Sequence, residues 1–410
     1  MSPTIKRILL ITGLIAVAAL LAVGLYLVFK KTAVTPPPTG GQPVGVGGQL
    51  PSAGERPPEV PGGGAPQAPG GGLLPPAGSI GGAAPSYFKP TPVEKVTSDF
   101  SSYTSVNSSG QLRYQNGADG KFYRIGIDGK PVELADQVFY NVSNVTWAKT
   151  KDKAVLEYPD GSKIIYDFDN KKQVTLPKHW EDFSFSPDSS EIAAKSLALA
   201  PENRWLVTSK DDGTGTKLIE PLGDNADKVI MNWSPSRQTV ALAQTGQPVG
   251  ADRREILFIG LNGENFKSTI VEGADFQPQW STTGKKLLYS VDSARSDFKP
   301  ELWVVDAYGD SIGAERRMLE LNTWADKCTF ADDTTLFCAV PRELPTGAGM
   351  SPEIAADTAD DLYKIDLKTG LKTSIPLDKN YTIDSISFDG VNNKLFFSDH
   401  HQTGVFGINL

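Results

Sequence analysis

The chain contains few of the residues that most often carry out chemistry. Its 410 residues include only two cysteines, three histidines and four methionines. The sequence has no His-Glu-x-x-His or Cys-x-x-Cys pattern and no glycine-rich phosphate-binding loop. These absences argue against a zinc peptidase, a dithiol oxidoreductase and a nucleotide-binding enzyme, and we predict neither a metal nor a cofactor.

Positive charge is also scarce in the larger part of the chain. The net charge is −8, and residues 1–89 carry six Lys or Arg and two Glu. Residues 90–410 therefore carry a net charge of −12. Binding to nucleic acid requires a basic surface, so this acidic balance predicts no nucleic-acid partner.

One long hydrophobic run stands near the N-terminus. Residues 8–29 are uncharged and rich in Leu, Val, Ala and Ile. Their number matches the roughly 20 residues that span a bilayer as a helix. We predict a single transmembrane helix within residues 1–31. A cleavable signal peptide is the alternative, although its apolar region usually has only about 7–15 residues.

A Pro- and Gly-rich segment follows this run. Between residues 35 and 85 only Glu55, Arg56 and Glu59 are charged, and the composition offers little to bury in a core. We predict a disordered linker over residues 32–89 that tethers a folded domain of residues 90–410. Such a tether favours a cytoplasmic N-terminus and an extracytoplasmic domain; a cytoplasmic domain on a disordered tether is the alternative.

The folded part is built from a repeat. An aromatic residue, a short polar turn and an apolar strand recur at Trp147, Phe185, Trp233, Trp280, Phe330 and Phe388. Successive aromatic residues are 38, 48, 47, 50 and 58 positions apart. Strand-rich repeats of about 40–50 residues are typical of β-propellers, with one blade per repeat. With a further unit at residues 111–129, we predict an all-β, seven-bladed β-propeller.

The recurring aromatic residues have two interpretations. Large side chains at a fixed position of each repeat would fill the space between neighbouring blades. A ladder of ligand-stacking rings is the alternative, but it would require positions at loop tips rather than beside strands. We therefore predict that these residues pack between blades.

The ends of the folded part are predicted to meet. The sequence ends at Leu410, directly after what reads as the third strand of the seventh unit. An exposed strand edge invites aggregation, so we expect it to be covered. The segment Val93–Thr97 has strand character and precedes the first unit. We predict that it supplies the missing fourth strand and closes the ring.

Both cysteines lie in the sixth unit. Cys328 and Cys338 flank a short turn, and cross-strand neighbours that share a face are close enough to form a disulfide. A single local pair in an otherwise cysteine-free chain fits an oxidising compartment. Two buried thiols are the alternative to this predicted disulfide.

Three short motifs point to a known repeat. Phe185-Ser-Pro-Asp188, Trp233-Ser-Pro235 and Glu301-Leu-Trp-Val-Val-Asp306 resemble the turn and inner strand of the TolB-type propeller family. The resemblance covers residues from about 90 to 410 and implies a propeller. It implies little about function, because this repeat serves scaffolds, periplasmic binding proteins and the non-catalytic domains of peptidases.

Loop lengths single out one face of the predicted propeller. The long insertions fall between second and third strands, at residues 198–203, 245–254, 293–299 and 341–359. Such connections share a face with the links between blades, and long loops on a rigid scaffold often carry function. The predicted binding residues there are Arg253, Arg254, Arg295, Lys299, Asp227, Asp275, Asp326, Asp384, His400 and His401. Capping of turns is the alternative role of the aspartates.

The adjacent His400 and His401 are the one place where a metal deserves consideration. Asp399 precedes them. Neighbouring residues on a strand point to opposite faces, however, and no third ligand is near in sequence. We therefore predict no metal site.

The predicted function is binding. We expect a membrane-anchored module of the cell envelope whose mixed-charge face receives a protein segment or a glycan. An envelope enzyme such as a glycan lyase or hydrolase, with its site at the channel mouth, is the alternative. We predict no catalytic residue, because the sequence shows no paired acids and no base beside a nucleophile.

Overall fold

The folded part of the chain is a ring of antiparallel sheets. The computed structural model describes residues 89–250 and 252–410, where 28 strands form seven four-stranded sheets. These sheets are the blades of a seven-bladed β-propeller, which confirms the predicted all-β fold. The predicted transmembrane helix and nearly all of the linker lie outside the described residues. Within the described residues, no helix is long and apolar enough to span a membrane.

Each blade runs from an innermost first strand to an outermost fourth strand. The N-terminal strand, β1 (Glu94–Thr97), belongs to the last blade. Blade 1 contains β2 (Ser101–Val106), β3 (Leu112–Asn116), β4 (Lys121–Ile125) and β5 (Pro131–Glu133). Blade 2 contains β6 (Asn144–Trp147), β7 (Lys153–Glu157), β8 (Lys163–Asp167) and β9 (Lys172–Leu176). Blade 3 contains β10 (Trp180–Phe185), β11 (Glu191–Ser196), β12 (Trp205–Lys210) and β13 (Lys217–Pro221).

The remaining blades follow the same order. Blade 4 contains β14 (Val229–Met231), β15 (Ala241–Ala243), β16 (Arg253–Ile259) and β17 (Thr269–Glu272). Blade 5 contains β18 (Ala274–Trp280), β19 (Lys286–Asp292), β20 (Glu301–Asp306) and β21 (Arg317–Met318). Blade 6 contains β22 (Cys328–Phe330), β23 (Thr335–Pro341), β24 (Asp360–Asp366) and β25 (Lys372–Ile375). Blade 7 contains β26 (Ile383–Asp389), β27 (Lys394–Asp399), β28 (Gln402–Asn409) and β1.

Closure of the ring joins the two ends of the propeller. β1 pairs antiparallel with β28, and Glu94 lies opposite Gly407. Lys394 of β27 also forms an ion pair with Glu94 at 2.9 Å. The predicted closing strand is therefore confirmed, and it covers the edge that β28 would otherwise expose.

Hydrophobic clusters fill the spaces between neighbouring blades. Trp280, at the end of β18, packs in one cluster with Ile256 and Phe258 of blade 4. Phe330, at the end of β22, packs in the next with Leu302 of blade 5. The other recurring aromatic residues occupy equivalent clusters. Their predicted packing role is therefore confirmed, because a flat blade buries its faces only against its neighbours.

The residue before each recurring aromatic residue is polar, and several of these residues link blades. The set is Thr146, Ser184, Asn232, Gln279, Thr329 and Ser387. The backbone N–H of Trp233 donates to Ser184 Oγ at 2.9 Å, joining blades 4 and 3. Gln279 Nε2 donates to the carbonyl oxygen of Cys328 at 3.1 Å, joining blades 5 and 6. These bonds satisfy backbone groups of first strands, which have an unpaired edge toward the channel.

The two cysteines form a disulfide within blade 6. Cys328 of β22 lies directly opposite Cys338 of β23, with their Cα atoms 4.1 Å apart. Both side chains are fully buried in the cluster between blades 5 and 6. The predicted bridge is therefore present, and it joins the first strand of the blade to the second.

Candidate functional site

The connections of the propeller divide between two faces. Because successive strands run in opposite directions, the links between blades share a face with the connections from second to third strands. We call this the loop-rich face and the opposite one the turn face. The long connections of the loop-rich face span residues 197–204, 244–250, 293–300 and 342–359, close to the predicted limits.

Several predicted site residues lie in strands rather than in loops. Arg253 and Arg254 are the first residues of β16, where Arg253 lies opposite Glu272 of β17. Asp275 lies in β18 and Asp384 in β26, rather than in the links that precede these strands. The sequence was misleading here because both aspartates lie at β-bulges, where the first strand carries a residue without a partner in the second.

The arginines of this face surround a single glutamate. The Glu272 carboxylate lies 2.9 Å from Arg295, 3.2 Å from Arg316 and 3.4 Å from Arg253. The hydrogen bond from Arg295 lowers the pKa of Glu272 most, and Arg316 adds to this effect. Arg295 also lies 2.8 Å from Glu301. We call these five residues the arginine cluster, and each of its cations already has a carboxylate partner.

A pair of carboxyl groups lies at the channel side of blade 5. Asp292, the last residue of β19, is 2% exposed. Neither of its carboxylate oxygens has a hydrogen-bond partner among the described residues. Burial and then the neighbouring Asp275 raise the pKa of Asp292 from 3.8 to about 6, while Arg254 opposes the shift. We call Asp275 and Asp292 the carboxylate pair.

The long connection of blade 6 covers Asp292. A Cβ atom added to Gly349 would collide with the side chain of Asp292 and would lie 2.8 Å from the carbonyl oxygen of Phe298. The backbone N–H of Gly349 donates to that same carbonyl at 2.7 Å. A glycine thus permits the close backbone approach that shields Asp292 from solvent.

A small pocket lies on the loop-rich face where blades 5, 6 and 7 meet. Its volume is about 220 Å³, and three carboxylates from separate elements line it. Asp326 comes from the link before β22, Glu353 from the 342–359 connection and Asp384 from β26. The apolar part of the wall consists of Trp324, Pro352, Ala355, Ala356 and Ile383. We call this cavity the acidic pocket.

One lysine lines the acidic pocket, and it is already paired. Lys327 Nζ lies 2.9 and 3.0 Å from the two carboxylate oxygens of Asp360, whose side chain is fully buried. The backbone N–H of Ile383 donates to the same carboxylate at 2.7 Å. Burial raises the pKa of Asp360, although Lys327 opposes the shift. The charge of Lys327 is therefore compensated by a carboxylate of its own.

The three lining carboxylates are less well compensated. Among the described residues, neither Asp326 nor Glu353 forms an ion pair, and Asp384 lies 3.1 Å from His400 Nδ1. Asp326 is open to solvent from the channel but has protein on most other sides. This burial raises the pKa of Asp326, with Lys327 acting in the opposite direction. The acidic pocket therefore keeps negative charge that its surroundings do not balance.

The two adjacent histidines adjoin the acidic pocket. His400 and His401 form the turn between β27 and β28, and their ring centroids are 5.2 Å apart. His401 Nε2 lies 3.5 Å from Asp357 of the 342–359 connection. The expectation that they point to opposite faces is wrong, because a turn does not alternate its side chains as a strand does. In the described part of the chain, no group of three or more His, Cys, Asp or Glu is placed to hold a metal ion.

The remaining predicted residues lie elsewhere on this face. Lys299 follows the 3-10 helix Ala294–Ser296 and is half-buried. Asp227 lies in the 3-10 helix Gly223–Lys228 and lines a separate cavity of about 580 Å³ beside blade 3. The predicted residues therefore do not surround one common mouth. Most of them lie in or beside the arginine cluster, the carboxylate pair, the acidic pocket and this separate cavity, whereas Lys299 lines neither cavity.

A second cavity continues from the acidic pocket along the channel wall. Its volume is about 530 Å³, and it shares Gln277 and Asp326 with the acidic pocket. Its other lining residues are mostly apolar and are Ile230, Phe276, Pro278, Gln279 and Ala325. The two cavities thus adjoin at Gln277 and Asp326, and we call them together the crevice, which is acidic at one end and mostly apolar at the other.

The turn face has a cavity of a different kind. It measures about 520 Å³ and is lined by small polar side chains, among them Ser105, Thr329 and Ser387. Lys149 also lines it, and burial lowers the pKa of this lysine. This cavity offers hydroxyl groups and one cation, whereas the crevice on the loop-rich face offers carboxylates.

One serine matches a spacing used by serine hydrolases. Residues 309–313 read Gly-Asp-Ser-Ile-Gly, but they form a 3-10 turn between β20 and β21 instead of a strand-to-helix elbow. Ser311 Oγ donates a hydrogen bond to the carbonyl oxygen of Tyr308 at 2.6 Å. This segment is a turn held by its own backbone and does not present a nucleophile.

Sequence reasoning missed several residues of these sites. Glu353 and Trp324 stand in long segments outside the repeat, where no pattern marks them. Asp292 occupies the end of a largely apolar strand, and Asp360 is the buried first residue of a strand of mixed polarity. A buried acid is unusual, so a polar residue closing an apolar strand is the signal that would have found Asp292, whereas the sequence of β24 gives no such signal for Asp360.

Comparisons with known proteins support the fold. Neither a protein-family model nor a curated protein matches the chain. The β-propeller domain of Cps50 (Swd1) from Myceliophteria thermophila is similar, with a TM-score of 0.51 and 12% identity over 78% of this chain and 99% of that one. An oligogalacturonate lyase solved with manganese also gives a TM-score of 0.51, with 12% identity over 78% and 93% of the two chains.

A third similarity concerns the family that the motifs resemble. TolB from Acinetobacter baumannii matches with a TM-score of 0.40 and 12% identity, over 66% of this chain and 64% of that one. This value is too low to distinguish the TolB-type family from other propellers. All three similarities concern the fold alone, and the same fold occurs in proteins of unrelated function.

Proposed function

We propose that this protein is a membrane-tethered binding module whose loop-rich face receives a segment of a partner protein outside the cytoplasm. The tether and the location are supported by the hydrophobic run at residues 8–29 and by the Pro- and Gly-rich composition of residues 32–89. The motifs at residues 185–188 and 301–306 support its inclusion in the TolB-type repeat family.

The joined crevice at the channel mouth carries this proposal. The acidic pocket and the adjoining channel cavity share Gln277 and Asp326 and have volumes of about 220 and 530 Å³. Ligand sites in proteins are concave, largely apolar and marked by a few placed polar groups. The crevice has this character, and its acidic end distinguishes it from the other cavities.

The rim of the crevice is fastened to the propeller. Trp324 is buried in a small cluster with Leu344, Ala348 and Ala355, so the 342–359 connection is packed against the link before β22. The backbone N–H of Gly347 also donates to the carbonyl oxygen of Asp297 at 2.9 Å, which ties the connection to blade 5. A rim that is already ordered reduces the entropy lost on binding.

A protein segment fits this crevice better than a glycan does. Sugar rings commonly stack on open aromatic faces, but Trp324 is only 7% exposed and Phe276 only 4%. An extended peptide can instead place one side chain in the acidic pocket and another along the apolar channel wall. We therefore favour a protein partner over a glycan.

An envelope enzyme acting on glycans is the second candidate, and the carboxylate pair favours it. Adjacent acids in different environments are the usual basis of general acid–base catalysis. Gly349 covers Asp292, however, and only Asp275 is exposed. Cleavage of envelope glycans by the full-length chain, lost in Asp275→Asn and retained in Asp227→Asn, would favour catalysis over binding as the main function.

Site-specific photocrosslinking tests the binding role. A photoreactive benzoylphenylalanine replacing Glu353, on the rim, should give a discrete crosslinked product in intact cells of the source organism. The same substitution at Lys368, on an exposed turn of the turn face, is the control and should give none. Equal products at both positions, or none at either, would overturn the proposed function.

The tether is tested separately from binding. Protease added to spheroplasts should cut within residues 32–89 and release a compact fragment of roughly 320 residues. The uncut chain should stay in carbonate-washed membranes with its N-terminus intact. A mature protein that begins after residue 20 would indicate a cleaved signal peptide instead.

A further inference from the structure

We propose that the acidic pocket accepts the side chain of one lysine or arginine from the partner segment, an inference that rests on the proposed function. It is based on the juxtaposition of three carboxylates, from three different elements, around a cavity of about 220 Å³ whose wall is partly apolar. No such arrangement occurs in the arginine cluster, whose cations and carboxylates compensate each other.

The charge of the acidic pocket selects for a cation. Lys327 is held by both oxygens of the buried Asp360, so it does not neutralise the lining acids. Asp326 and Glu353 have no ion-pair partner in the described ranges, and Asp384 has only His400. Bringing an anion into this pocket would add repulsion, whereas an ammonium or guanidinium group would relieve it.

The shape of the acidic pocket selects for a long side chain. Its walls at Trp324, Pro352 and Ala355 are apolar, and its three carboxylates line the same cavity. Lysine and arginine combine an aliphatic stem with a charged end, so the stem can pack on apolar surface while the end meets an acid. A bare metal ion would use the carboxylates but would leave the apolar walls uncovered.

The position of Asp326 strengthens the case. The carboxyl group has protein on most sides, and an ionised acid in such a place is stabilised by a nearby opposite charge. A bound cation would supply that charge at the point where the acidic pocket opens into the channel cavity, since Asp326 lines both. Asp326 should therefore contribute to recognition from both cavities, whereas Glu353 lines only the acidic pocket.

Short labelled peptides test this inference with the full-length chain in mild detergent. The probe is a fluorescein-labelled Ala-Ala-Lys-Ala-Ala peptide, followed by fluorescence anisotropy. The matched control peptide carries acetyl-lysine, which keeps the stem but removes the charge. Because hydrogen bonds to charged groups are stronger than neutral ones, the lysine peptide should bind roughly tenfold or more tightly.

Protein variants assign the effect to the acidic pocket. Asp326→Asn and Asp384→Asn should each weaken binding of the lysine peptide several-fold. The matched control is Asp224→Asn, because Asp224 is an exposed acid that lines the separate cavity beside blade 3. Glu353→Lys, on the exposed rim, should also weaken the lysine peptide and should improve binding of an Ala-Ala-Glu-Ala-Ala peptide. Thermal melting of each variant confirms that it folds.

The results separate this inference from the proposed function. Equal affinity for the lysine and acetyl-lysine peptides, no binding of either, or an effect of Asp224→Asn equal to that of Asp326→Asn would overturn the inference. A crosslinked product at Glu353 would in each case leave the binding function standing. If no crosslinked product forms at Glu353 but the lysine peptide still binds more tightly than the acetyl-lysine peptide, the acidic pocket binds a cation and the proposed protein partner in the cell is rejected.

Discussion

The arginine cluster and the acidic pocket share the loop-rich face but differ in how their charges are balanced. In the arginine cluster, Glu272 lies within 3.4 Å of three arginines, and Arg295 has Glu301 as a second partner. In the acidic pocket, the single lysine is bound by Asp360, and two lining acids have no ion-pair partner within the described residues. The first arrangement is internally complete, whereas the second leaves charge for a ligand.

This difference shows that a cluster of charge is not by itself evidence of a site. Compensated ion pairs at a surface contribute modestly to stability and have little left to offer a partner. Uncompensated charge in a cavity is costly to maintain and is therefore more informative about function. The predicted binding residues Arg253 and Arg295 belong to the first kind, and Asp326 to the second.

The largest expected effect comes from opening the ring that carries both regions. Deleting residues 1–100 removes β1 and exposes the edge of β28, so the protein should aggregate and melt at a lower temperature. Deleting residues 1–85 retains β1 and is the matched control, which should remain monodisperse. Identical elution and melting of the two truncated proteins would contradict the role of β1 in closure.

The next largest effect should come from removing the disulfide, which should lower stability and also weaken binding at the acidic pocket. Replacing both Cys328 and Cys338 by Ala should lower the free energy of unfolding by about 2–3 kcal/mol, because the bridge restricts the unfolded chain. The 3-10 helix Ala325–Lys327 directly precedes Cys328, so the lysine peptide should also bind less tightly. Two freely alkylated thiols in unreduced protein would contradict the bridge itself.

A pH-dependent effect, which reaches its full size only above about pH 7, is expected at the carboxylate pair. The pKa of Asp292 is raised to about 6, so its protonated form favours the folded state. This contribution is complete below about pH 4 and is lost as the pH rises through 6. Asp292→Asn should therefore equal the parent near pH 4 and be more stable by about 3 kcal/mol at pH 7.5. If urea unfolding shows a stability difference between Asp292→Asn and the parent that does not change with pH, the raised pKa of Asp292 is rejected.

The smallest expected effect compares the two regions directly. Glu272→Gln leaves three arginines without their shared carboxylate, so it should destabilise the fold by about 1 kcal/mol, reduced by the partial exposure of the arginines. Glu353→Gln removes an acid without an ion-pair partner and should change stability by less than about 0.5 kcal/mol. Equal losses in chemical denaturation would mean that the two regions are not distinguished by charge compensation.

The fold could be predicted because its signals are local. Each aromatic residue, turn and strand recurs within one repeat, so the number of blades follows from counting repeats along the chain. The closing strand at Val93–Thr97 and the bridge between Cys328 and Cys338 were also predictable, the first from an incomplete last unit and the second from two adjacent strands.

The candidate site was only partly predictable. Asp326 and Asp384 were named as residues of the loop-rich face, but nothing in the sequence joined them to Glu353 or to each other. Arg253 and Arg295 could not be distinguished from Asp326 by sequence, because the sequence does not show whether a charged residue near a loop has an ion-pair partner. The histidine pair was placed on a strand, although it forms a turn.

What the sequence by itself determined is the architecture: an acidic, seven-bladed propeller whose blades pack through one aromatic position per repeat. What only the tertiary structure decided is which charges remain available. Glu272 is neutralised by arginines from blades 4 and 5, whereas Asp326, Glu353 and Asp384 meet around one cavity from three elements that lie far apart in the chain. The reason is physical: strand and turn formation depend on neighbours in sequence, but the balance of charge depends on distances across blades, which exist only once the ring has closed.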